Sequence, residues 1–174
     1  MKPFSCAIAA QQAGEDLIGT AGHFQTYVLI ECPMPWLAKA FNSSSIPPAL
    51  CQYIQAFKAK RSVQFLCINR GVASTSAQTT VLVYEREALA PSFAAKAHKA
   101  DWFTGQYRGY EYQLDSLEQV VSCLETHWRN QQQPQQSAKL DPAIYQQDIL
   151  VCTHGMRDQC CARFGQPFLE MQSV

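Results

Sequence analysis

Residues 24–31 read FQTYVLIE, and this stretch decides the class of fold. It is rich in β-branched and aromatic residues, and its second half is continuously apolar, as in a strand that is buried on both faces. Pro33 and Pro35 follow it, and a proline lacks the backbone donor that strand pairing needs. The sequence therefore predicts a buried strand, with a helical turn starting at the prolines.

A helix and a second strand follow this first strand. Residues 49–60 predict a helix, because Leu50, Ile54 and Phe57 fall at helical spacing. Residues 62–69 (SVQFLCIN) are apolar almost throughout and predict the second strand. A strand, a helix and a strand in this order imply a parallel pair of strands with a right-handed crossover.

The next predicted elements extend the same sheet. Residues 79–84 (TTVLVY) and 107–114 (YRGYEYQL) predict two more strands, and the alternation in the second is typical of an edge strand. Asp115 then begins a helix, with Glu118 completing a capping box. The whole order favours an α/β fold, a thioredoxin-like βαβ-ββα layer over residues 1–128.

A glutamine-rich segment follows this amino-terminal domain. Residues 129–137 read RNQQQPQQS, without an apolar residue, and they predict a linker that we extend over 129–143. Residues 147–151 predict a new strand after it. Residues 144–174 are therefore interpreted as the start of a second unit.

The bulk composition limits the classes of function. The chain has 174 residues, an apolar fraction of 47%, and 14 basic against 14 acidic residues. This even balance, without a basic run, argues against a nucleic-acid surface and a polybasic membrane patch. The amino terminus is too weakly apolar for a secretory signal, and no window approaches a membrane-spanning length. We therefore expect a cytoplasmic protein that binds neither nucleic acid nor membranes.

Eight cysteines need an explanation. Cys67 lies in a predicted strand, and Cys51 and Cys123 lie in helical patterns, which favours free thiols that serve as small buried residues in a reducing compartment. Cys32 follows the first strand, where a thioredoxin-like fold would carry a redox cysteine. No second cysteine stands three residues later, so the sequence favours a structural role for Cys32.

Ligand-type side chains concentrate near the carboxyl end, in the stretch DILVCTHGMRDQCCARFGQPF at 148–168. They are Cys152, His154, Cys160 and Cys161. Thiolates are soft ligands for iron–sulfur clusters, zinc and copper, and imidazole suits iron and zinc. Gly155 allows the loop from Cys152 to Cys161 to wrap around a site. Cys160 is adjacent to Cys161 and cannot easily face the same metal, which leaves it an accessory role.

The spacing leaves several interpretations open. It fits neither a zinc knuckle, nor a zinc ribbon, nor a thioredoxin CxxC pair. A zinc site shared across a dimer, or a thiol redox switch, could use Cys152, Cys160, Cys161 and His154. Reduced core cysteines in a structural remnant without metal are a third interpretation. No carboxylate pair can be placed with glycosidase geometry, so a glycosidase is not supported.

The motif VCTHGMRDQCCARFGQP at 151–167 closely resembles the signature of the sucrase/ferredoxin-like family, the thioredoxin-like ferredoxins. AGEDLIGTA at 13–21 and ECPMPW at 31–36 give a looser match to the front of that family. The resemblance implies that residues 144–174 begin a second thioredoxin-like domain with its first strand, loop and helix. It also implies a [2Fe–2S] cluster with Cys152 and Cys161 as ligands.

The resemblance implies an electron carrier rather than an enzyme, with Arg157 and Asp158 hydrogen-bonding around the cluster. In the family, an HxxxH segment supplies two further ligands, and mixed ligation raises the reduction potential. No two of the four histidines here stand four apart: His23, His98, His127 and His154.

We therefore expect a chain that is truncated before the HxxxH segment and carries only the cysteine half of the cluster site. Alone it would not hold a cluster stably. A homodimer, or association with a separate carboxy-terminal half, would complete the ligand set. The sequence leaves the redox partner protein unidentified.

Overall fold

The computed structural model describes residues 6–15, 24–58, 62–70, 78–86, 107–130, 150–156, 161–163 and 165–167. The strands are β1 (Thr26–Glu31), β2 (Val63–Ile68), β3 (Thr79–Arg86) and β4 (Tyr107–Leu114). The helices are α1 (Cys6–Gln12), α2 (Pro48–Lys58) and α3 (Val120–Asn130), with 3-10 turns at Ala40–Asn42 and Leu117–Gln119. The predicted α/β class is confirmed.

The four strands form one mixed sheet in the order β2-β1-β3-β4. β1 pairs parallel with β2, which confirms the strand–helix–strand unit with α2 as its crossover. β3 pairs antiparallel with both β1 and β4. Residues 107–114 therefore form an edge strand of the described sheet, as the sequence predicted. The arrangement is compatible with a thioredoxin-like layer.

One face of the sheet packs against α2 and α3. Val28 and Ile30 of β1, Phe65 of β2 and Val81 and Val83 of β3 are buried on that face. The helices contribute the apolar side chains of Leu50, Ile54, Val120 and Leu124 to this core. Because these residues recur at helical spacing, each helix has one apolar stripe that faces the sheet. Burying one such side chain stabilises the fold by about 1.5–3 kcal/mol.

The helix α3 also buries a histidine. His127 is 3% exposed, with Nδ1 2.7 Å from the Tyr112 hydroxyl and Nε2 3.3 Å from Glu85 Oε1. The neutral tautomer that satisfies both partners carries its proton on Nε2, so that Nδ1 accepts from the tyrosine. Burial raises the pKa of Tyr112 to about 12. No pattern in the sequence predicted this network.

Both ends of α3 differ from the prediction. The turn before α3 has Ser116, not Asp115, at its amino-terminal cap, and the Gln119 side chain accepts a hydrogen bond from the Asp115 backbone N–H. The Gln119 side chain thus takes the acceptor role predicted for Glu118, and Ser116 makes no side-chain cap hydrogen bond, so the predicted capping box is not formed. α3 also runs through Arg129 and Asn130, into the predicted linker.

The rest of the predicted linker over 129–143 and most of the predicted strand at 147–151 lie outside the described residues. Leu150 and Val151, which are described, show no strand pairing. The division into 1–128, 129–143 and 144–174 therefore stays a prediction. Among the helices that are described, none is long and apolar enough to cross a membrane.

Candidate functional site

A cavity of about 1020 Å³ lies against the outer side of β2. Because β2 is an edge strand, side chains from both of its faces reach this cavity, Leu66 and Ile68 from one and Cys67 from the other. The remaining walls come from the segment after β1, from α2, and from residues 150–154. The cavity therefore joins the sheet to the cysteine motif.

The two cysteines predicted as ligands both line this cavity. Cys152 is exposed and Cys161 is half-buried. Both cysteines, which have eight residues between them, thus contribute to the wall of one cavity. Thiolates are soft ligands of the kind that iron–sulfur clusters and zinc ions take.

Two glycines explain how the loop between these cysteines closes. A Cβ on Gly165 would collide with the backbone carbonyl oxygen of Cys152. A Cβ on Gly155 would lie 2.7 Å from the Cβ of Ala162. Both positions bring the loop against the helical residues 161–163 and 165–167, and only glycine permits so close an approach.

His154 is the most unusual polar side chain in the cavity wall. Its Nε2 is buried and has no hydrogen-bond partner among the described residues. Its ring packs edge-to-face on Trp36, with 5.9 Å between ring centroids. Buried polar atoms in proteins nearly always have a partner, and exceptions often mark a site that meets an ion or ligand.

The described residues could supply two of the four protein ligands of a [2Fe–2S] cluster. Cys152 and Cys161 offer thiolates in a cavity, and His154 offers an orphaned nitrogen beside them. Within the described ranges, however, no three Cys, His, Asp or Glu side chains group closely enough to hold a metal ion. Cys160, Arg157 and Asp158 lie outside the described residues, so their predicted roles stay predictions.

Two further thiols line the cavity, and sequence reasoning had interpreted them as core residues. Cys51 is half-buried, its thiol donates to Asn42 Oδ1 at 3.7 Å, and it accepts from Gln55 Nε2 at 3.5 Å. Cys67 is also half-buried. The position of Cys67 near the carboxyl end of a predicted parallel strand could have indicated a place in a site. Parallel α/β sheets bind ligands beyond the carboxyl ends of their strands.

Cys32 lies diagonally across from Cys67, just beyond the end of the neighbouring strand β1, and is 2% exposed. A side-chain hydrogen bond with Cys67, followed by burial, raises the pKa of the Cys32 thiol well above its usual range. Its backbone N–H donates to the Ile68 carbonyl at 3.0 Å, and its carbonyl accepts from Trp36 Nε1 at 3.3 Å. The lone cysteine of the sequence thus has a partner on the neighbouring strand.

Comparison with known proteins gives one match. A family model described as sucrase/ferredoxin-like matches residues 17–172. This range includes the four strands, α2, α3 and the loop that carries Cys152 and Cys161. No curated protein and no solved structure matches the chain.

Proposed function

The chain belongs to the sucrase/ferredoxin-like family, and on this premise we propose that it is an electron-transfer protein that holds a [2Fe–2S] cluster through Cys152 and Cys161. One observation carries the proposal. The two cysteines line a single cavity, and the loop between them is closed by the contact between Gly165 and the Cys152 carbonyl.

The chain's own residues have distinct parts in this proposal. Cys152 and Cys161 bind as thiolates, so loading the site releases protons and is favoured as pH rises. When bound, the cluster supplies a one-electron couple. Cys152 is exposed and gives a redox partner the nearest approach, whereas Trp36 and His154 shield the inner side of the loop from water.

The remaining ligands come, in this proposal, from outside the described residues. The sequence supports this, because no two of its four histidines have the HxxxH spacing. A second copy of the chain, or a separate polypeptide with an HxxxH segment, would supply the donors. The monomer alone then binds iron weakly.

Anaerobic reconstitution of the full chain with iron and sulfide tests the proposal. We expect bound iron and sulfide, with visible and EPR spectra of a [2Fe–2S] centre, in a dimeric fraction or after addition of an HxxxH-containing partner. Cys152→Ser and Cys161→Ser should abolish the signal. Cys123→Ser is the matched control, because Cys123 is half-buried in α3 and does not line the cavity.

Three results would overturn the proposal: zinc without iron, no metal in any fraction, or equal iron in wild type and both ligand variants. Zinc without iron would favour the alternative of a zinc site, for which the orphaned His154 Nε2 is a suitable donor. A stoichiometric cluster in a stable monomer would refute the requirement for ligands from a second chain.

A further inference from the structure

We propose that Cys32 and Cys67 form a second redox centre, a dithiol that a small disulfide of the glutathione class converts to an intramolecular disulfide. This centre needs no metal and does not depend on the proposed cluster. The proposal rests on the sheet register, on the unequal exposure of the two thiols and on the cavity that one of them lines.

The sheet register places both thiols at the carboxyl ends of adjacent parallel strands. Ile30 of β1 lies opposite Cys67 of β2, and the ladder continues through the hydrogen bond from the Cys32 N–H to the Ile68 carbonyl. Alternate residues of a strand face the same side. Cys32 and Cys67 therefore share the face of Ile30 and Phe65 as diagonal neighbours.

The two thiols differ in exposure. Cys32 is 2% exposed, whereas Cys67 is half-buried and lines the cavity. The neighbouring Cys67 side chain, followed by burial, raises the pKa of the Cys32 thiol, which favours its protonated form. A thiolate, not a thiol, attacks a disulfide. The first attack therefore falls to Cys67, and Cys32 acts second.

The chemistry balances in two exchanges. The Cys67 thiolate attacks one sulfur of oxidised glutathione, which forms a mixed disulfide and releases one glutathione thiolate. Cys32 then loses its proton to solvent or to a released thiolate and attacks Sγ of Cys67, and the second glutathione thiolate leaves. The protein gives up two electrons and two protons, and one oxidised glutathione becomes two reduced molecules.

The cavity suits this oxidant. Its volume of about 1020 Å³ is at the upper end of the range of about 300–1,000 Å³ that is usual for small-molecule sites. Asn42, Gln55 and Asn69 contribute amide side chains to its wall, and Lys39 contributes a cation. Amides match the peptide groups of a tripeptide, and an ammonium group matches its carboxylates.

Closing the disulfide must move the chain. Strands lie about 4.8 Å apart and rise about 3.3 Å per residue, so diagonal Cα atoms are separated by about 8 Å. A disulfide spans at most about 6.8 Å between Cα atoms. Cys32 stands one residue beyond β1, and its carbonyl binds Trp36, which packs on His154. Oxidation therefore shifts the contact between the segment after β1 and the 150–156 loop.

The test uses the metal-free full chain in glutathione redox buffers of increasing oxidising strength, with peptide mapping by mass spectrometry. We expect a peptide pair joined through Cys32 and Cys67, lighter by two hydrogens than the reduced pair. In C32A, Cys67 should keep a stable glutathione adduct, because no second thiol resolves it. In C67A, Cys32 should stay unmodified. C51A is the matched control and should retain the linked pair, because Cys51 is a half-buried thiol of the same cavity.

A wild-type chain that accumulates only the glutathione adduct on Cys67 would overturn the proposal, as would a Cys32 that oxidises equally in C67A. The wild-type result stands without either variant, so a folding defect in C32A does not remove the test. Since metal is absent throughout, failure of the cluster proposal leaves this result unaffected, and the reverse also holds.

Discussion

The histidines near the two edges of the described sheet differ in their hydrogen-bond partners. Near β4, the imidazole of His127 is buried with a partner on each nitrogen, Tyr112 and Glu85. Near β2, the His154 Nε2 is buried without a partner among the described residues, and four cysteines line an open cavity. A satisfied buried network adds rigidity, whereas unsatisfied donors and accessible thiols keep binding capacity for a ligand.

The largest expected effect comes from replacing each of these two histidines with alanine and comparing the stability of the variants. His127→Ala leaves the Tyr112 hydroxyl and the Glu85 carboxylate without their buried partner and opens a cavity. We expect the free energy of unfolding to fall by about 3 kcal/mol, measured by urea denaturation. His154→Ala serves as the paired variant and should cost less than about 1 kcal/mol. Equal losses in the two variants would show that both edges are built for stability.

The second test acts on the loop rather than on a donor. Gly165→Ala places a Cβ against the Cys152 carbonyl, and we expect the closed loop to be destabilised by about 1–3 kcal/mol. Labelling of the half-buried Cys161 by a thiol reagent should accelerate about tenfold, since tenfold corresponds to about 1.4 kcal/mol.

Gly14→Ala is the control for that experiment, because Gly14 has φ +66° and its alanine variant strains the backbone of a different segment, whereas its Cβ meets no described atom within 4 Å. It should leave the labelling rate of Cys161 unchanged. Gly155→Ala, whose Cβ would meet only the side chain of Ala162, should give an intermediate rate. If all three variants label alike, the glycine contacts do not determine the conformation of the loop.

The third prediction concerns pH. Burial raises the pKa of Tyr112 to about 12, above its ordinary value of 10.0, which favours the protonated phenol in the folded state. The associated stability is present in full below pH 10 and is lost as pH rises through 12. Ultraviolet titration should show one phenol ionising late, and Tyr112→Phe should remove that step and cost about 1 kcal/mol of stability. A titration unchanged in the variant would assign the late step to another tyrosine.

The smallest expected effect belongs to a surface ion pair. Arg70 Nη1 lies 3.3 Å from Glu111 Oε1, with side chains 45% and 27% exposed. Glu111→Gln should change the free energy of unfolding by less than about 0.5 kcal/mol, because solvent screens exposed pairs. Urea denaturation at low and high salt checks this. A loss comparable to that of His127→Ala would mean that polar contacts stabilise the sheet regardless of burial.

The strands were predictable because hydrophobic pattern determines them directly. TYVLIE and VQFLCI form one inner strand and one edge of the described sheet, and α2 appears where Leu50 and Ile54 mark an apolar stripe. His127 falls on the same helical stripe as Val120 and Leu124, so the sequence pattern indicated that it could be buried. Its hydroxyl and carboxylate partners had none, since they come from β4 and β3.

The site was predictable only through residues close in sequence. Cys152 and Cys161 share one motif, from which the sequence predicts that they can face one site, and both line the cavity. The proximity of Cys32 and Cys67 was not predicted. The CxxC spacing, in which a second cysteine stands three residues later, indicates only thiols that are close along the chain. Their proximity arises from strand register, which no local pattern reports.

The contact between Gly165 and the Cys152 carbonyl also has a consequence for recognising related sequences. Because backbone touches backbone there, the number of residues from Cys152 to Gly165 is set by a steric distance. An insertion or deletion between them would separate the two atoms even if every ligand-type residue were retained. Cys152, Gly155, Cys161 and Gly165 therefore form one pattern of fixed length, and a homologue that keeps the cysteines but changes the interval would be expected to have lost the loop.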